Sequence, residues 1–219
     1  MQKVFLISGL GADHRLFDKL ELPGCDLVHV NWIEPEAKDT LSSYAQKLVE
    51  TYGITPQSTV VGVSMGGMIT VEISSLMPLR TAVIISSIKS VNEFPPYFKF
   101  FKRVPIYKII PHGFYTSMGL LIKPLFGELR GKSGFLFVDM IKNTSPVFMR
   151  WAMHAIVNWQ PKPLRNKIYH IIGNKDLIFS HTRIKDATYI IERGSHDMVY
   201  TRGKEISKII QGILTDETT

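Results

Sequence analysis

The sequence predicts an α/β fold: a mostly parallel sheet of about six strands, helices on both faces, and a helical insertion. Three observations predict it. Short runs rich in valine and isoleucine alternate with longer segments of helical period. Those runs are apolar at consecutive positions, as strands buried on both faces require. The chain has 219 residues, 45% hydrophobic and 21% charged, which excludes disorder and allows one large core without staples.

Taken in order, Val4 to Ser8 reads as a buried strand entering the turn Gly9-Leu10-Gly11, and Asp26 to Asn31 as a second strand. Leu41 to Tyr52 has helical spacing, with Leu41, Tyr44, Ala45, Leu48 and Val49 on one face and Gly53 placed to cap its end. Thr59 to Val63 is a third strand. Gly66 to Met77 is an apolar helix stopped by Pro78. Ala82 to Ser86, Lys167 to Ile172 and Thr188 to Ile191 complete six strands, and Lys204 to Ile213 is a closing amphipathic helix.

This rhythm breaks after the fourth strand. Residues 88–167 hold 13 of the 26 Lys and Arg but only 3 of the 19 Asp and Glu, so the net charge of +7 is concentrated there. The same stretch holds 14 of the 23 aromatic residues. Such a shift in composition marks a separate layer. The expected division is a core of residues 1–87 and 168–219 with a lid or cap of residues 88–167.

Cys25 is the single cysteine, which rules out an internal disulfide and any multi-cysteine metal site. The apolar run near Met1 is too short for a secretory signal, and no stretch of about 18 apolar residues exists to span a membrane. A soluble, cytoplasmic protein is expected.

The chemistry is expected at Ser64. Gly62-Val63-Ser64-Met65-Gly66 has the pattern G-x-S-x-G, between a valine strand and an apolar helix. A serine on a sharp strand-to-helix turn is strained, and its neighbours two before and two after must be small. Gly62 and Gly66 meet that need. A hydroxyl is a weak nucleophile at neutral pH and needs a base. Of seven histidines, His196 lies in a loop between the last strand and the last helix, on the edge where Ser64 is presented. His29 and His170 fall within strands and read as packed histidines, whereas His14 could line the pocket. The base needs an orienting carboxylate. Asp176 follows the fifth strand on the same edge; Asp197 is adjacent to His196 and poorly placed to fold back onto its ring, and Asp139 lies in the insertion.

The order Ser64, Asp176, His196, each at a strand end, resembles the α/β-hydrolase family, in its serine hydrolase and esterase branch. The resemblance covers nearly the whole chain. Ser8–Gly11 looks like the oxyanion loop, Gly62–Gly67 like the nucleophile elbow, Ile171–Asp176 like the acid loop, and Gly194–Met198 like the histidine loop. It implies an oxyanion hole made by the backbone N–H groups of Leu10 and Met65, and an insertion where the family carries its lid. Ser8 stands where the family often has histidine, and Phe179 where many members have proline.

The resemblance implies acyl transfer to water by Ser64, His196 and Asp176, on a small or medium apolar acyl substrate, with no cofactor and no metal. Serine at position 64 excludes the sibling chemistries that use aspartate there. A hydroxynitrile lyase would keep the same three residues. The insertion mixes aromatics and cations in Phe94–Arg103 and again in Lys108–Leu125. Rings and methionines suit an apolar acyl group. Cations suit an anionic thioester leaving group or an anionic membrane surface, though the same residues also fit a lid with its own small core and a solvated face. Nucleic acid is not an expected partner, since no recognition module is present. Two other classes stay open. Gly9-Leu10-Gly11 after a strand could begin a dinucleotide site, but His14 stands where a third small residue is needed. A non-catalytic binder of small ligands could keep the fold.

Overall fold

The computed structural model describes residues 1–105, 126–127 and 131–216. Six strands form one parallel sheet in the order β2-β1-β3-β4-β5-β6. They are β1 (Gln2–Ile7), β2 (Cys25–Val30), β3 (Thr59–Val63), β4 (Thr81–Ile85), β5 (Tyr169–Gly173) and β6 (Tyr189–Ile191). Among the described residues the helices of four residues or more are α1 (Leu41–Tyr52), α2 (Met65–Leu76), α3 (Tyr97–Arg103), α4 (Gly131–Asn143), α5 (Pro146–Val157), α6 (Met198–Thr201) and α7 (Gly203–Asp216), with a 3-10 turn over His14–Phe17. Six parallel strands with helices on both faces are what the apolar runs predict.

Side chains alternate across the sheet because successive strand residues point to opposite faces. Phe5, Ile7, Val60, Ala82, Ile84 and Ile172 join α1, α2 and α5 in one cluster. Val4, Leu6, Val61, Val63, Val83, Ile85 and Ile171 join α6, α7 and the His14–Phe17 turn in the other. Both faces are therefore covered, and β3 and β4 are buried at every residue.

The strand order sets the site. The chain passes from β1 outward to β2, then crosses back to place β3 on the other side of β1. The carboxyl ends of β1 and β3 thus flank the point where the winding reverses, the crevice that parallel sheets use for ligands.

Within residues 88–167 the described elements differ in depth. Helix α3 buries none of its residues. Phe137 and Ile141 of α4 form a small third cluster with Phe126 and Val138. Helix α5 sits in the main core: Phe148, Trp151, Ala152 and Ala155 belong to the α1–α2 cluster. Trp159 Nε1 donates to Glu72 Oε1 of α2 at 2.6 Å, and Trp151 Nε1 to the Asp39 carbonyl at 2.8 Å. The second basic, aromatic segment, Lys108–Leu125, lies wholly outside the described residues, and His112 with it.

Candidate active site

Ser64 ends β3 and precedes α2 with φ 54° and ψ −118°, in the left-handed region that favours glycine. The glycines at its flanks explain how the turn is possible. A Cβ on Gly62 would run into the Gly66 carbonyl and the Thr70 hydroxyl. One on Gly66 would run into the carbonyls of Ile7 and Ser8 at the end of β1. The turn is thus pressed against its own helix and the neighbouring strand. The Ser64 N–H donates to the Ile85 carbonyl at 3.0 Å, which ties it to β4 as well.

His196 lies between β6 and α6, 3% exposed. Its Nε2 is 3.0 Å from Ser64 Oγ, and its Nδ1 is 2.8 Å from Asp176 Oδ2. Asp176 is also buried, on the loop after β5. Its second oxygen, Oδ1, accepts from the backbone N–H groups of Ile178 at 2.8 Å and Phe179 at 2.9 Å. A carboxylate that accepts from Nδ1–H leaves Nε2 as the free acceptor facing the serine hydroxyl. The structure therefore brings together the three residues the sequence selects. The loops that carry the acid and the histidine touch each other: the Lys175 N–H donates to the Gly194 carbonyl at 2.9 Å, and a Cβ on Gly173 would strike that carbonyl.

The rival groups lie elsewhere. Asp197 is buried, accepts from Ser195 Oγ at 2.5 Å, and has its carboxyl raised above the usual range by burial. Asp139 is engaged by Arg15 at 2.7 Å. His14 packs edge-on against His29, with ring centres 5.9 Å apart. His170 is fully buried, its Nε2 2.9 Å from the Ser87 carbonyl, as expected of a packed strand histidine.

The candidate oxyanion donors fall at the two sides of the crevice. Met65 is the first residue of α2, where the N–H has no acceptor within the helix and the helix dipole favours negative charge. Leu10 lies in the turn after β1, packed against the main core. Two bonds shape that turn: the Ala12 N–H donates to the Gly9 carbonyl at 3.1 Å, and the Ser8 hydroxyl to the Ala12 carbonyl at 2.9 Å. Ser8, the departure from the usual histidine, is thus a loop-closing donor. Gly9 comes so near Ser64 that a Cβ there would lie 3.2 Å from the serine Cβ.

Aromatic rings wall the imidazole. Phe126 meets it edge-on at 5.1 Å between ring centres, and Phe179 at 5.7 Å. Phe126 packs on Phe137 of α4 at 4.7 Å. A separate cleft of about 270 Å³, lined in part by Asp13, Trp32, Glu34, Met140 and Phe148, opens beside the first loop and touches none of the three site residues.

The sequence reading missed three contributors. Ile178 and Phe179 hold Asp176 through backbone N–H groups, which composition does not reveal. Proline at 179 would lack that N–H, so the departure there adds a bond to the carboxylate. Phe126 sits in the aromatic part of the insertion, but nothing in the sequence points its ring at His196.

No protein-family model matches the chain, and no curated protein matches it. Solved structures do. A thermophilic esterase from Thermogutta terrifontis superposes with a TM-score of 0.79 at 15% identity, covering 100% of this chain and 91% of that one. An esterase from Exiguobacterium antarcticum gives 0.74 at 13% identity, with 100% and 92% covered. An N-acyl homoserine lactonase, solved with N-butanoyl homoserine, gives 0.70 at 15% identity, with 100% and 90% covered. The chain has the α/β-hydrolase fold. Among the described residues no helix is long and apolar enough to cross a membrane.

Proposed function

We propose that the protein is a serine hydrolase that cleaves carboxylic esters through an acyl-enzyme. The observation that carries this is the continuous line from Asp176 through His196 to a strained Ser64, at 2.8 and 3.0 Å. The esterases and the lactonase among its structural neighbours support the same reaction class.

The steps follow from the atoms. Ser64 Oγ attacks the ester carbonyl while its proton passes to His196 Nε2. Asp176 keeps the Nδ1–H tautomer and stabilises the imidazolium that forms. The N–H groups of Met65 and Leu10 receive the developing oxyanion, each worth about 3 kcal/mol in the transition state. His196 then gives its proton to the leaving oxygen. Water repeats the sequence on the acyl-enzyme and frees the acid.

The insertion, residues 88–167, is the lid of this site, anchored through α5 and reaching His196 through Phe126. The rings of Phe126, Phe137 and Phe179 suit a small or medium apolar acyl group. The cations of α3 suit an anionic leaving group, such as a thioester, or an anionic surface.

The test is labelling with a fluorophosphonate and hydrolysis of p-nitrophenyl esters of rising acyl length. Wild-type protein should label and turn over. Ser64→Ala should lose labelling and about 10⁵-fold or more in kcat with its unfolding transition kept. Undiminished hydrolysis by Ser64→Ala would reject the assignment.

A further inference from the structure

Among the described residues, two of the three non-glycine residues with positive φ are Ser64 and Ser86, at the carboxyl ends of the adjacent strands β3 and β4. Strain at Ser64 is explained by the nucleophile turn. Ser86, at φ 47°, carries no chemistry in the mechanism above, and its own hydroxyl is buried without a partner. Strain of this kind, about 1–3 kcal/mol, persists where the surroundings fix it for a purpose. What it does here is to set the next residue, Ser87.

Ser87 is fully buried. Its Oγ lies 2.7 Å from the Ser64 carbonyl oxygen, and since a carbonyl only accepts, the hydroxyl donates. That carbonyl also accepts from the N–H groups of Gly67 at 2.9 Å and Met68 at 3.2 Å, both in its own helix. The Ser87 bond is the shortest of these and comes from the loop after β4. Ser87 is itself held from behind. Its carbonyl lies 2.9 Å from His170 Nε2, so His170 donates there and its buried Nδ1 is left without a partner. Packing completes the clamp: Gly67 faces Ser87 so closely that a Cβ there would collide with the serine side chain.

The carbonyl of Ser64 and the N–H of Met65 are the two ends of one planar peptide unit. Holding the oxygen therefore fixes where the N–H points. A hydrogen bond to the oxygen also polarises the unit and strengthens the N–H as a donor. We infer that Ser87 is a positioning residue for the oxyanion hole: its hydroxyl sets the Ser64–Met65 peptide so that the Met65 N–H is aimed and strengthened for the charge that forms in the transition state. This rests on the ester-hydrolase reading of Ser64, and it adds a residue from outside the three-residue relay.

The test compares Ser87→Ala with wild type. In Ser87→Ala, kcat for a p-nitrophenyl ester should fall about tenfold, less than the 10²- to 10³-fold that deleting an oxyanion donor itself brings, with KM within about twofold. Binding of a trifluoromethyl ketone, whose adduct with Ser64 bears an oxyanion, should weaken by the same factor. Binding of the matching secondary alcohol, which forms no oxyanion, should be unchanged. A purely structural role would move both ligands together. Unchanged kcat in Ser87→Ala, or equal weakening of ketone and alcohol, overturns the inference while the ester-hydrolase reading survives. A wild-type chain inert to esters and to fluorophosphonate overturns both. As a second measurement on folded protein labelled with ¹⁵N-methionine, the Met65 amide proton should shift upfield in Ser87→Ala, and an unmoved resonance also counts against the clamp.

Discussion

Helices α2 and α3 sit on the same molecule under opposite rules. Every residue of α2 from Met65 to Ser75 is buried, while α3 buries none and leaves Phe100 53% exposed. The first carries the peptide unit that follows Ser64 and is locked by β1, β3, β4 and α1. The second displays rings and cations to solvent. The contrast separates two tasks. Geometry for a reaction needs neighbours that forbid movement, whereas choice of substrate can rest on a surface that tolerates substitution.

Four measurements break or sharpen this contrast. The largest effect is expected at the locked edge itself. Asp176→Asn removes the charge that fixes the His196 tautomer, and kcat should fall about 10⁴-fold with little change in the unfolding midpoint. Stability comes next. Gly66→Ala forces a Cβ into the Ile7 and Ser8 carbonyls, so urea unfolding should report a loss of about 3 kcal/mol or more, while Phe100→Ala on α3 should stay within about 0.5 kcal/mol.

The third uses pH. Burial, helped by the nearby Lys89, lowers the His170 pKa from 6.5 to about 4, against weaker opposing effects of the Ser87 carbonyl bond and Asp186. Below pH 6.5 the unfolded chain takes up a proton that the folded chain refuses. Stability should therefore fall as pH drops from about 6.5 to about 4, by about 3 kcal/mol at most. His170→Asn should flatten that part of the profile, and an equally steep profile in the variant would place the effect elsewhere. The smallest effect is on the exposed helix. Neutralising Lys99, Lys102 and Arg103 together should raise KM for an anionic thioester about threefold to tenfold and leave a neutral ester alone. Equal shifts for both substrates would remove the anionic leaving group from consideration.

Much of the locked edge was legible in the sequence because its demands are local. A strained serine needs small neighbours, and Gly62 and Gly66 supply them in the linear order. A buried parallel strand needs an unbroken apolar run, as in Thr59–Val63. Loops after such strands open on one edge, the edge on which Asp176 and His196 meet Ser64. The rest depends on contacts that composition does not encode. Ser87 is one serine among several, and only its position opposite the Ser64 carbonyl gives it a task. Ile178 and Phe179 act through backbone N–H groups, which every residue except proline has. Helix α5 lies within the basic, aromatic residues 88–167, yet Phe148, Trp151, Ala152 and Ala155 face the core. Their spacing of three, one and three residues was the available signal, and the charge count spoke more loudly.

The indole of Trp159 resting on Glu72 has a broader consequence. The chain after α5 returns to the body of the molecule along the same helix whose start follows Ser64, and it does so through a side chain of its own. The exposed residues of α3, which buries none of its side chains, can therefore be exchanged or recharged over evolutionary time without reopening the foundations of the reaction. A lineage built on this plan would diversify its diet while its chemistry stood still.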